Sequence, residues 1–309
     1  MEFVTPIIQQ VCIMYLLIIV GIVAFRCNLF NRETASQLSG ILVKIVTPAV
    51  IIQAFQIKFD SSLAKGLLVA AALAIITHLV GIVLSLALVR KTADSRQYLS
   101  DRLAIIFSNC GFFGIPLVFA IFGNIGVFYC SMYMAVYNVL LWTYGVSTFS
   151  NSFSPRNLLK VILSPQIIGT VVGILFFLLS VRLPSMLIST TKYIADLNTP
   201  LAMIIVGSYI AQTDIFGAIR DLRLYVISSL RILLVPAVLL AVLFFWRVDR
   251  NIAGAIFISA ACPVGAMTMI LADQFDADPV HASRLITIST LLSVFSLPVM
   301  LTLFHLVTG

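Results

Sequence analysis

Two short stretches carry the residue types that could do chemistry in this chain, and both interrupt otherwise apolar sequence. The first is Ser108–Pro116, which reads SNCGFFGIP, and the second is Ser259–Gly265, which reads SAACPVG. Glycine permits non-helical backbone angles, and proline removes an N–H from the helical ladder. Lipid cannot satisfy unpaired backbone groups, so an interruption inside a membrane must face protein or a water-filled cavity. Two such interruptions at matching places indicate a binding site near the middle of the membrane.

The chemistry predicted for these stretches is anion binding by the main chain. Gly111, Gly114 and Pro116 are expected to unwind a helix, and the amide of Asn109 can donate hydrogen bonds beside them. The free N–H groups and partial positive charge of a helix N-terminus suit an anion. The second stretch is expected to act in the same way from the opposite direction. The candidate binding residues at the two breaks are Asn109, Gly111, Gly114, Pro116, Pro263 and Gly265.

A few other polar residues fall inside apolar segments, where they are costly and often functional. Lys44 either faces an anion site or extends its charge to the membrane surface. Asn138 either contacts substrate or bonds to a neighbouring helix. Arg231 is expected to reach the surface, and His78 to be a packing residue.

Composition places the chain among membrane proteins. It has 309 residues, of which 61% are hydrophobic and 10% charged, and its mean hydropathy is +1.11. A soluble domain carries about 25% charged residues. The sequence therefore predicts an all-α polytopic membrane protein with one integral domain over 1–309. The five cysteines lack the spacing of metal ligands, so neither a metal nor another cofactor is expected.

Ten membrane spans are predicted from apolar runs of about 20 residues. They lie near 5–25, 38–57, 63–89, 103–122, 126–149, 158–180, 186–212, 223–246, 252–272 and 282–306. Spans four and nine contain the two interruptions.

The distribution of Lys and Arg predicts the orientation, because cytoplasmic loops are enriched in these residues. With both termini outside, six cations lie in outer loops: Lys58, Lys65, Arg182, Lys192, Arg247 and Arg250. Eleven lie in inner loops: Arg26, Arg32, Arg90, Lys91, Arg96, Arg102, Arg156, Lys160, Arg220, Arg223 and Arg284. We therefore expect a multi-pass protein of the cell membrane with both termini outside.

The two halves of the chain resemble each other, at about 1–150 and 158–309. Thr47-Pro48 is matched by Thr199-Pro200 at an offset of 152 residues, and Ala104–Gly114 matches Ala255–Gly265 at an offset of 151. Each half has five predicted spans, and an odd number inverts the second copy relative to the first. This pattern is typical of inverted-repeat transporters, with the broken spans four and nine crossing each other.

Several motifs together resemble the auxin efflux carrier family in its bacterial form. They are Asn109-x-Gly111-x-x-Gly114-x-Pro116, Pro263-x-Gly265, Thr199-Pro200-Leu201-Ala202 with Gly207, and Ser289-Thr290-Leu291-Leu292-Ser293 with Pro298. The resemblance implies ten helices in two inverted five-helix repeats, with a scaffold part and a transport part moving as an elevator. It also implies export or exchange of small organic anions, such as auxin in plants or malonate and malate-like acids in bacteria. The long cytoplasmic loop of the plant members is absent from this sequence.

The leading hypothesis is a secondary carrier of a mono- or dicarboxylate working by alternating access. No GxxxxGK[ST] motif is present, so the chain is not expected to hydrolyse ATP. The alternative is a cation/proton antiporter or sodium-coupled carrier of the same architecture, although antiporters generally need a carboxylate at the crossing. An embedded enzyme or sensor and a channel are further alternatives. The expected partners are an organic anion and the lipid bilayer, without nucleic acid, and a homodimer is possible.

Overall fold

The computed structural model describes residues 4–90, 95–150, 155–275 and 277–308, and the elements formed there are helices. Lys91, one of the predicted inner cations, lies outside the described residues. In chain order the helices are α1 (Val4–Arg26), α2 (Arg32–Ala54), α3 (Ser61–Leu88), α4 (Ser95–Ile106), α5 (Cys110–Ser150), α6 (Pro155–Ile162), α7 (Pro165–Leu178), α8 (Ser185–Ala211), α9 (Ile215–Arg220), α10 (Leu222–Phe245), α11 (Arg250–Ala261), α12 (Met267–Gln274) and α13 (Pro279–Thr308).

Seven of these helices are long and apolar enough to cross a membrane, namely α1, α2, α3, α5, α8, α10 and α13. The predicted class, an all-helical integral membrane protein, is therefore confirmed. Predicted spans four, six and nine contain shorter helices, and α5 continues from span four into span five. The chain changes direction inside α5 at Gly123, which has φ 59° and ψ −151°. The count of ten spans and the inverted repeat remain predictions.

The interruptions lie at 107–109, between α4 and α5, and at 262–266, between α11 and α12. The prediction that Gly111, Gly114 and Pro116 unwind the helix is wrong, because all three lie within α5. The first break comes before them, and Cys110–Gly114 form a π-helical turn. This wider turn relieves the clash between the Pro116 ring and the carbonyl one turn earlier.

The same arrangement occurs at two other prolines of the membrane helices. Leu42–Val46 form a π-helical turn two residues before Pro48, and Leu230–Leu234 form one two residues before Pro236. Both helices continue through the proline because the wider turn absorbs the missing hydrogen bond.

The two breaks meet in the interior of the protein. The N–H of Asn109 donates to the carbonyl of Pro263 at 2.8 Å, and the N–H of Gly265 donates to the carbonyl of Phe107 at 2.9 Å. A methyl group on Gly265 would lie 2.8 Å from the carbonyl oxygen of Ser108. Only glycine therefore allows the two segments to approach this closely.

The helices pack mainly in two groups. In the first group, α1 crosses the second half of α8, and α7 packs against the second half of α2. A methyl group on Gly207 would lie 2.1 Å from the carbonyl oxygen of Ile18, so the α1–α8 crossing also needs a glycine. The second group holds both breaks and contains α3, α4, α5 and α10 to α13. Tyr15 joins the groups, because its hydroxyl lies 2.7 Å from the Ser293 hydroxyl on α13.

Candidate functional site

A cavity of about 430 Å³ lies between the two helix groups, beside the first break. Its size falls within the range of small-molecule sites. One wall comes from α2, α6 and the start of α7, and the other comes from the breaks and from α5. The lining residues are Ser39, Val43, Ser108–Phe112, Met134, Tyr137, Asn138, Leu141, Trp142, Leu159, Lys160, Leu163–Gln166, Ala266, Met267 and Ile270.

Three of the eight predicted site residues line this cavity, and they are Asn109, Gly111 and Asn138. The others are placed elsewhere. Gly265 and Pro263 form the contact between the breaks, and Gly114 and Pro116 are buried one turn further along α5. Lys44 is exposed on α2 and does not line the cavity.

Asn109 is the polar residue best placed to bind a ligand. Its backbone is already used, since its N–H bonds to Pro263 and its carbonyl accepts from Phe113 and Gly114 at 2.9 and 3.1 Å. Its side chain is buried, and among the described residues the amide nitrogen Nδ2 has no hydrogen-bond partner. An unsatisfied buried donor costs about 1–3 kcal/mol. A ligand that accepts a hydrogen bond would remove this penalty.

Two helices begin at the cavity and direct their N-terminal ends towards it. Asn109 is the N-cap residue of α5, so the N–H groups of Cys110, Gly111 and Phe112 belong to its first turn. Met267 begins α12, which also lines the cavity with its first turn. First-turn N–H groups have no carbonyl partner within their own helix, and each helix N-terminus carries about half a positive charge. Among the described residues no arginine lines the cavity, and the two helix N-terminal ends make this side of it electropositive.

Arg231 binds the opposite ends of the broken helices. Its guanidinium donates to the carbonyls of Ile105 at 3.0 Å, Ile106 at 3.4 Å and Cys262 at 3.3 Å, and also to the carbonyl of Ala260. The expectation that Arg231 reaches the surface is wrong, because the residue is 0% exposed. Burial is possible because helix C-terminal carbonyls are negative and lack partners in their own helix.

Comparison with known proteins identifies the family. The model of the family described as "Membrane transport protein" matches residues 6–301. The chain belongs to this family. A protein of Methanothermobacter thermautotrophicus described as an uncharacterized transporter is 24% identical over 293 residues, which cover 94% of this chain and 96% of the relative. The resemblance to the auxin efflux carrier family is confirmed.

Away from the breaks, the cavity of this membrane transport protein has aromatic residues and a few polar residues in its wall. Phe112, Tyr137 and Trp142 contribute to its wall. Asn138 adds an amide whose nitrogen donates to the carbonyl of Met134 at 2.8 Å. Lys160 stands at the exposed side of the cavity, with its ammonium 5.2 Å from the centre of the Trp142 ring.

Sequence reasoning missed Lys160 and Asp101 as well as the role of Arg231. Lys160 is among the predicted inner-loop cations, and only the packing of α6 on α5 brings it to the cavity. Asp101 lies before the predicted start of span four, yet it is 0% exposed within α4. Its carboxylate accepts from Arg223 Nε at 2.6 Å and lies 2.7 Å from His281 Nε2. No local signal distinguishes these residues from surface charges.

The transporter has a second, smaller cavity of about 140 Å³ near the other end of α2. Val43 of α2 lines the first cavity, whereas Val50 and Gln53 line the second. Val50 lies seven positions after Val43 along the helix, which corresponds to about 10 Å. Ile115 and Phe119 of α5 line the second cavity opposite them. The two cavities are thus stacked along the same pair of helices.

Proposed function

We propose that this membrane transport protein is a secondary carrier of a small organic anion that works by alternating access. The observation that carries the proposal is the unpartnered amide nitrogen of Asn109, at a cavity where α5 and α12 both begin. A hydrogen-bond donor without a partner and two helix N-termini all favour a carboxylate. A neutral acceptor could satisfy the amide donor but would not balance the positive helix ends, and a cation would be repelled by them.

The carboxylate would accept hydrogen bonds from Asn109 and from first-turn N–H groups such as those of Gly111 and Met267. Hydrogen bonds to a charged partner contribute about 1.5–3 kcal/mol each. The apolar body of the acid would lie along Tyr137 and Trp142, which line the same cavity. Affinity would then come from main-chain electrostatics at one end and from apolar burial at the other.

Alternating access is supported by the two cavities and the two helix groups. Both cavities are lined by α2 on one side and by α5 on the other. A shift of the group that carries the breaks, relative to the group of α1, α2, α7 and α8, would open one cavity and close the other. An inverted repeat would account for a matched pair of contacts, since α1 packs on the second half of α8 and α7 packs on the second half of α2. We therefore keep the ten-span inverted repeat, with both termini outside, as part of the proposal.

The cation/proton antiporter is less well supported by the site. Its essential group would be a free carboxylate at the crossing. Asp101 is buried, but it is paired with Arg223 and His281 and does not line the larger cavity. Cations would also meet the N-terminal ends of α5 and α12, which are positive.

The proposal is tested by transport into liposomes that contain the purified protein. Labelled acetate, lactate, malonate and benzoate are offered, and at least one should enter faster than in protein-free liposomes. Asn109→Ala should lower the rate at least about 10-fold, since a charge-assisted hydrogen bond contributes more than 1.4 kcal/mol. Asn251→Ala, at the start of α11 and away from the cavity, is the matched control and should behave as the wild type. Failure of every acid to enter, with a folded protein, would contradict the proposal.

A further inference from the structure

Arg231 is a permanent positive charge in the interior of the protein. Of the Lys and Arg side chains that the structure describes, only that of Arg231 is fully buried. No described carboxylate lies within ion-pair distance of it. Its guanidinium donates to four carbonyls at the ends of α4 and α11, which are neutral groups. A guanidinium keeps its proton at any physiological pH. Arg231 therefore brings a charge of +1 to the crossing.

The helix ends at the crossing do not cancel this charge. Two C-terminal ends, of α4 and α11, contribute about −0.5 each, and two N-terminal ends, of α5 and α12, contribute about +0.5 each. Their sum is close to zero. The ion pair of Asp101 with Arg223 is also neutral as a unit. A monoanion bound at Asn109 would bring the net charge of the crossing from +1 to zero.

We infer that Arg231 is the fixed countercharge of the carried anion, so that membrane potential acts on the empty carrier and not on the loaded one. The inference rests on the proposed function and goes beyond it. Arg231 is bonded to both broken helices, so it moves with them whenever the site changes sides. The loaded carrier crosses with no net charge, whereas the empty carrier crosses with +1.

The charges that move on the two steps of the transport cycle add up to the charge of the exported anion. Export of one monoanion moves one negative charge outwards in total. Because Arg231 neutralises the anion on the outward step, this charge movement takes place on the return step, when the empty carrier brings one positive charge inwards. An inside-negative potential therefore accelerates net export. Exchange of one monoanion for another uses only the loaded form, and so it moves no net charge in either direction.

The test compares exchange with net efflux in proteoliposomes whose potential is set by potassium and valinomycin. The probe is labelled lactate or benzoate, whichever the wild type exchanges faster. Exchange against unlabelled acid should be the same at zero and at inside-negative potential. Net efflux into acid-free buffer should rise severalfold, with a limit of about 50-fold per 100 mV if the charge crosses the whole field. Exchange that responds to potential would overturn the inference.

Two variants separate charge from structure. Arg231→Lys keeps the charge but cannot reach all four carbonyls, so it should slow transport and leave exchange independent of potential. Arg231→Gln removes the charge, so the loaded carrier becomes negative and exchange should become dependent on potential. Exchange in Arg231→Gln that stays independent would contradict the inference. If Arg231→Gln does not fold, wild type and Arg231→Lys decide the question. If the wild type moves no carboxylate at all, both the proposed function and this inference are wrong. If it exchanges carboxylates at a rate that depends on membrane potential, only this inference is wrong.

Discussion

Asn109 and Lys160 represent two different ways in which a single residue can attract an anion. Asn109 is buried at the break, where its amide nitrogen lacks a partner among the described residues. Lys160 is exposed at the edge of the cavity and lies against the Trp142 ring. In the proposed carrier, Asn109 would act by direct contact in a low-dielectric site, whereas Lys160 would act through a screened field in water. The two contributions should respond differently to salt.

Replacing Lys160 should weaken substrate capture only at low ionic strength. We expect Lys160→Gln to raise the apparent KM of the transported acid about 3- to 10-fold in dilute buffer, because an exposed charge is screened within about 10 Å at 0.1 M salt. In high salt the variant should approach the wild type. Initial uptake rates at a series of acid concentrations measure the effect, with the exposed Lys58→Gln as control. An equally large defect in high salt would show that Lys160 contacts the substrate directly.

At the scale of elements, the site depends on how closely two non-helical segments approach each other. Gly265 lies between α11 and α12, and its missing side chain leaves space for the carbonyl oxygens of Phe107 and Ser108. The bridge between Asn109 and Pro263 then fixes where α5 begins. The position of the proposed anion site is thus a consequence of backbone packing more than of any one side chain.

A methyl group at Gly265 should loosen this crossing. It would lie 2.8 Å from the carbonyl oxygen of Ser108, a backbone atom that cannot turn away. We expect Gly265→Ala to lower the free energy of unfolding by about 1–3 kcal/mol, as other overpacked sites do. Thermal unfolding in detergent measures the change. Gly40→Ala is the control, since nothing lies within 4 Å of the added carbon. Equal midpoints for the two variants would contradict the close packing described here.

The sequence predicted that two apolar segments are interrupted, but it misplaced the first interruption. Glycine and proline mark a region in which a regular helix is unfavourable. They do not show whether the chain unwinds at the proline or passes it through a π-helical turn, as it does at Cys110–Gly114. The role of Arg231 could not be predicted either. Its burial depends on carbonyls of α4 and α11, which are far from it in sequence.

At the scale of the whole molecule, apolar composition was sufficient to predict the class of protein. Seven helices are long enough to span a membrane, and the family match covers nearly the whole chain. Composition could not show how the helices group, because the faces that meet other helices and those that meet lipid are both apolar. The two-group packing and the paired cavities emerge only from the three-dimensional arrangement.

The proposed orientation predicts which ends of the helices face the outside of the cell. Single-cysteine variants test it with a membrane-impermeant maleimide. One variant keeps Cys27, which follows α1 on the predicted inner side. The other carries Ser185→Cys at the first residue of α8, on the predicted outer side. In intact cells only the cysteine at 185 should react, whereas both should react after permeabilisation. Labelling of Cys27 from outside would show that the orientation is reversed.

A structure of the protein with a bound carboxylate tests the central claim most directly. A bromine-substituted benzoate locates the bound acid without ambiguity, because anomalous scattering identifies the bromine. We predict that its carboxylate lies about 3 Å from Nδ2 of Asn109 and from first-turn N–H groups of α5, with the bromine-bearing ring directed towards Trp142. A carboxylate bound only at the smaller cavity, or only at Lys160 with Asn109 still unpartnered, would contradict the account.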